Sequence, residues 1–176
     1  MSDDSGINYQ TSLPLAWQNV PAPDTAMLAQ ARDGNILLLQ ALATLESAAE
    51  KDHVADPALS KAVVRLEAKL DIALTLLGKL LAEQLASPAS VPVTLGVNQI
   101  AWRDAAPLPA LDASILVNLR LSPRLPEFLQ LYARVVAVED GACSAEFLDR
   151  DSEQEEWITR TLFRYHRRAL QARHQL

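Results

Sequence analysis

From Leu59 to Leu80 apolar residues recur at alternating steps of four and three, through Leu59, Val63, Leu66, Leu70, Ala73, Leu77 and Leu80. A mean period of 3.5 residues puts Val63, Leu70 and Leu77 at a positions and Leu59, Leu66, Ala73 and Leu80 at d positions of a heptad. Four heptads in strict register, from Leu59 to Ala86, are a coiled-coil signature. Leu74 and Leu81 at e and Leu76 at g widen the apolar arc beyond what a two-stranded contact covers. Each leucine left in water forgoes roughly 1.5–3 kcal/mol of burial. A hairpin packed against the rest of its own chain would strand several of them, whereas self-association covers them. The expectation is an oligomer, with four chains favoured over two.

The same period governs the preceding stretch from Thr25 to about His53, through Leu28, Ala31, Asn35, Leu38, Leu42, Leu45 and Ala49. Pro57 separates the two runs, and Pro88 and Pro92 end the second. Two long helices joined by a short link imply an antiparallel hairpin. Asn35 falls at an a position, where it either fixes register as single buried asparagines do or faces solvent at a loose end. Asp24 or Thr25 can cap the first helix.

On either side of these helices the period changes to two. In "SLPLAWQ" Leu13, Leu15 and Trp17 alternate with smaller or polar residues, and Pro14 confines such a strand to the edge or end of a sheet. "VPVTLGVNQIAWR" supplies one or two strands, "ASILVNLRLS" another, and "LYARVVAVEDGACSAEFLD" a hairpin turning at Asp140 and Gly141. A third helix follows, with Ser152 and Glu155 as a capping box and Ile158, Leu162, Tyr165 and Ala169 as its apolar face. Beyond Trp157 it carries five arginines and no acids, which complements the helix dipole.

Composition removes several function classes. A net charge of -6 argues against a nucleic-acid partner. Arg65, Glu67, Lys69, Asp71 and Lys79 interrupt the longest apolar segment, which argues against a membrane span. The acidic, polar start lacks the basic region and apolar core of a signal peptide, and the single cysteine, Cys143, suits a reducing cytoplasm. His53, His166 and His174 lack metal-ligand spacing, and no phosphate loop or nucleophile-base set is recognisable, so neither a metal, a cofactor nor catalysis is expected.

The run "RVVAVEDGACSAEFLDRDSEQEEWITRTLFRYHRRAL" resembles the C-terminal half of PilZ domains, and "VTLGVNQIAWR" stands where that family has its second-messenger loop and following strand. The resemblance spans most of residues 91–170 and the strand around Trp17. It implies an α+β fold: a six-stranded Greek-key β-barrel interrupted by two long heptad-repeat helices and followed by a C-terminal helix. Residues 1–24 and 87–176 would form the barrel unit, and residues 25–86 an inserted, separable oligomerisation hairpin. Many PilZ domains bind cyclic di-GMP through an Arg-x-x-x-Arg pair and an Asp/Asn-x-Ser-x-x-Gly turn. Here no arginine precedes Arg32, "LLAEQLASPAS" contains none, and Thr94, Gly96 and Gln99 replace the three turn residues.

The resemblance therefore implies a cytoplasmic, non-catalytic adaptor or scaffold in bacterial cyclic di-GMP signalling, with weak or absent binding of the messenger and a signalling protein as partner. Two alternatives stand beside it. One is a direct receptor using Arg103, Arg120 or Arg134, and the other is a purely structural coiled-coil protein.

Overall fold

The computed structural model describes residues 8–47, 57–84, 88–104, 107–123, 125 and 127–173. Six strands, β1 (Tyr9–Asn19), β2 (Ser90–Leu95), β3 (Gln99–Arg103), β4 (Ser114–Leu119), β5 (Leu129–Glu139) and β6 (Ala142–Phe147), close into an antiparallel barrel in the order β1-β2-β3-β6-β5-β4. Helices α1 (Thr25–Ser47) and α2 (Pro57–Gln84) lie between β1 and β2, and α3 (Ser152–Arg173) follows β6. The expected interrupted six-stranded barrel with a C-terminal helix is thus the architecture observed.

Alternation fills the barrel. Leu15, Val93, Ile100, Trp102, Val117, Leu131, Val135 and Cys143 are all buried in one core, which Ile158 and Leu162 of α3 join. The β5–β6 hairpin turns at Asp140 and Gly141 with φ of 48° and 76°, the left-handed pair that a two-residue turn demands. Burial pushes the Cys143 thiol up to about 11, which keeps it a protonated core residue.

Two local expectations are corrected and a third is settled. Pro14 does not mark an edge: β1 pairs with β2 as far as Pro14↔Ser90 and with β4 from Leu15↔Leu119 onward. The missing proline N–H falls where the strand leaves its first partner. Asp151, not Ser152, caps α3, its Oδ1 accepting from the N–H groups of Glu153 and Gln154. At α1 the cap is Asp24, whose Oδ1 accepts from Met27 N at 2.8 Å.

The larger correction concerns α1. Its heptad stripe packs inside the chain: Leu38, Leu39 and Leu42 belong to the barrel core, and the helix lies against β5 and α3. Among the described residues α1 packs on β5 and α3 and shares no extended contact with α2. Asn35, only 3% exposed, neither sets a coiled-coil register nor faces solvent. Its Nδ2 donates to Gln130 O at 2.7 Å and to Gln154 Oε1 at 2.9 Å, while its Oδ1 accepts from Gln130 N at 2.8 Å.

The reason lies in the sheet. β6 pairs with β5 only as far as Phe147↔Ala133, and Leu148 N reaches Tyr132 O. Gln130, one step further along that edge of β5, needs another partner for its backbone N–H and C=O. The Asn35 carboxamide presents one donor and one acceptor, as a neighbouring peptide would.

Ion pairs fasten both ends of α1. Arg32 Nη1 lies 3.3 Å from Asp149 Oδ1, and Glu46 Oε1 lies 2.9 Å from Arg168 Nη1, with Arg164 Nε 3.6 Å from the other oxygen. Tyr165 stacks at 48° against Tyr9 with centroids 5.3 Å apart, and its hydroxyl donates to Leu121 O.

Asn35→Ala would leave the Gln130 backbone pair and the Gln154 amide buried without partners. At about 1–3 kcal/mol per group with some relaxation, stability should fall by about 3 kcal/mol in urea titration followed by tryptophan fluorescence. The self-association state should not change. Burial, reinforced by the Glu46 charge, raises the Tyr165 phenol above its ordinary range. A raised native value means that the folded state holds its proton more tightly, so this contribution is complete below about pH 10 and is lost as pH rises further. Tyr165→Phe should therefore flatten the decline of melting temperature above about pH 10.

Candidate functional site

Helix α2 is where the fold leaves apolar surface uncovered. Val63 is 38% exposed, Leu66 59%, Leu70 54%, Leu77 55% and Leu80 57%. Ala73 is exposed and Leu74 half-buried, while the side chains of Leu59 and Leu81 lie outside the described residues. Ile72 and Leu76 add exposures of 60% and 55%. At 100° per residue the stripe from Leu74 through Leu70, Leu66 and Leu80 to Ile72 subtends roughly 200°. A helix contacting one partner needs about half of that. Among the described residues α2 makes no extended contact with any other element. The helix is nonetheless continuous over 28 residues from Pro57 to Gln84, well beyond the length at which isolated helices are marginal.

The second candidate region is the β2–β3 turn. Thr94 lies on β2 facing outward, paired with Ala101 of β3, and Gln99 opens β3. Gly96 closes the turn by donating its N–H to Gln99 O at 2.9 Å. A Cβ on Gly96 would meet Asn8 Oδ1 at 2.7 Å and Gln99 Cγ at 3.2 Å, so both side chains lie close over the turn. Beside the turn, a groove of about 480 Å³ runs over Gln10, Pro92, Thr94, Ala101 and Arg103. Arg103 is engaged by the hairpin, its Nη1 donating to Asp140 O at 3.0 Å.

Arg103, Arg120 and Arg134 are not brought together. Arg103 is level with Ala142 and Arg134 with Glu146, four residues along β6, or roughly 13 Å. Arg120 follows the opposite end of β4 from Ser114, the partner of Arg134. It is only 8% exposed, its Nε donates to Leu125 O at 3.4 Å, and its guanidinium lies 5.7 Å from the Phe128 ring centroid.

A family model described as atypical PilZ domain, cyclic di-GMP receptor, matches residues 39–174. The chain belongs to the atypical PilZ domain family. Among solved structures, this PilZ chain is similar to a pathogenic protein of Xanthomonas campestris, a tetrameric PilZ domain described as self-assembled via an unusual helical bundle. The likeness has a TM-score of 0.71 at 29% identity and covers 95% of this chain and 91% of that one. A search of curated proteins returns no significant match.

Sequence reasoning did not find the Asn35–Gln130–Gln154 network or the pairing of Glu46 with Arg164 and Arg168. A polar residue on an otherwise apolar stripe was the available signal for the first. The second joins residues more than a hundred positions apart, and nothing local marks it.

Proposed function

We propose that this PilZ protein is a self-assembling, non-catalytic adaptor of bacterial cyclic di-GMP signalling, in which α2 builds a homotetramer and the barrels face a protein partner. The observation that carries the reading is the exposed, wide apolar stripe of α2 on a fold whose other long heptad run is buried. The tetrameric relative that assembles through a helical bundle supports it. An arc of roughly 200° matches a helix with two bundle neighbours better than a helix with one. No described helix is long and apolar enough to cross a membrane, and the proposed adaptor would work in the cytoplasm, where cyclic di-GMP circulates.

Replacing Leu70 and Leu77 together by Lys puts like charges at facing a positions. Light scattering after gel filtration should then give monomers or dimers with unchanged barrel circular dichroism. A double variant that keeps the wild-type mass would remove α2 from the interface.

The second reading, a direct cyclic di-GMP receptor, is favoured by the description of the family. Against it stand the absent arginine pair and the separation of Arg103, Arg120 and Arg134. A charge-assisted hydrogen bond contributes roughly 1.5–3 kcal/mol, and a micromolar complex has only about 8 kcal/mol in all. Calorimetry should detect no saturable binding of cyclic di-GMP below about 10 μM. Stoichiometric binding in that range would replace the adaptor reading with the receptor one.

A further inference from the structure

Where α1 and α3 cover the barrel, a cavity of about 560 Å³ remains, distinct from both α2 and the β2–β3 turn. The space is a cleft partly open to solvent, with Arg168 at its exposed edge. A space of this size falls within the range of small-molecule pockets, roughly 300–1,000 Å³.

The walls differ in character. Tyr9 of β1 and Tyr165 of α3 present aromatic rings, and Leu42 and Leu45 of α1 present aliphatic surface. The remaining edge is charged, with Glu46 beside Arg168. The Glu46 side chain is 12% exposed and is held by Arg168 and Arg164 together. Among the described residues one carboxylate meets two guanidiniums, an excess of one positive charge, with Arg164 standing behind the lining. Of the two cations, Arg168 lines the cavity and is the more exposed, at 41% against 24%.

A cationic ligand would meet that excess charge, and a purely apolar one would strip water from Arg168 without replacing it. A compact anion on an apolar body satisfies both walls, because the planar guanidinium fork matches a carboxylate. We propose that this cavity binds a carboxylate carried on an aromatic or alkyl body, with the charge at Arg168 and the body between the tyrosine and leucine walls. Such chemistry comes either from a small free acid or from the C-terminus of a peptide chain ending in an apolar residue.

The test uses the full chain, with amide chemical shifts read by NMR. The probes are 3-phenylpropionate, its neutral counterpart 3-phenylpropanol, and a short peptide ending in Phe with a free or an amidated C-terminus. Saturable shifts around Tyr9 and Leu45, with a dissociation constant below about 1 mM for the acid and at least roughly fivefold weaker binding of the alcohol, are expected. Arg168→Gln should abolish the preference for the acid, Arg168→Lys should keep part of it, and Ser122→Trp at the cavity wall should block both probes. Circular dichroism checks that each variant is folded. Binding of the acid alone identifies a free small molecule as the source, and binding that extends to the free-ended but not the amidated peptide identifies a chain terminus. Equal binding of acid and alcohol, shifts unaffected by Ser122→Trp in a folded protein, or no saturation by any probe up to about 5 mM would overturn the proposal.

Discussion

The hydrogen bonds between the Asn35 carboxamide and the backbone of Gln130 decide how the rest of this chain is used. β6 is shorter than the stretch of β5 beside it, and the uncovered peptide at Gln130 needs a donor and an acceptor. Asn35 provides both from a helix, so α1 is held against the barrel. With α1 in place, Leu38, Leu39 and Leu42 enter the core, and ion pairs at Arg32 and Glu46 reach α3. A polar residue on an apolar stripe is expensive to bury unless fully bonded. Here it is fully bonded at one place, which fixes the helix in register on the strand.

That commitment has a consequence for α2. The two heptad runs are similar enough to suggest that they pair with each other, yet α1 turns its stripe inward. The α2 leucines retain exposures above 50% at Leu66, Leu70, Leu77 and Leu80. On the proposed reading this face is the association surface. Its breadth and the tetrameric helical-bundle relative together favour several copies of this helix meeting one another. On the proposed reading the barrel is left for signalling contacts, with assembly and recognition on separate parts of the chain.

Much of the fold was legible in the sequence because its signals are local. Alternation marked the strands, Asp140 and Gly141 marked the hairpin, and prolines marked the ends of the helical region. What could not be read was the choice of partner. A 3.5-residue period in α1 and in α2 specifies an apolar stripe but not what it lies against, and only the unpaired edge at Gln130 distinguishes the two. Ser152 with Glu155 fitted a capping box, whereas the cap is Asp151, one residue earlier. From sequence Gly96 is only a substitution for the serine of a ligand turn, whereas its Cβ position lies against the Asn8 side chain. The three candidate arginines could be named from sequence, but their separation follows from strand register.

The claim that α2 joins four chains is tested most directly by sedimentation equilibrium of the unmodified protein at low micromolar concentration. Each chain has a mass of 19.3 kDa. Assembly through the α2 stripe requires a species of about 77 kDa, four times that mass. A single species at 19.3 kDa, unchanged as concentration rises, would contradict it.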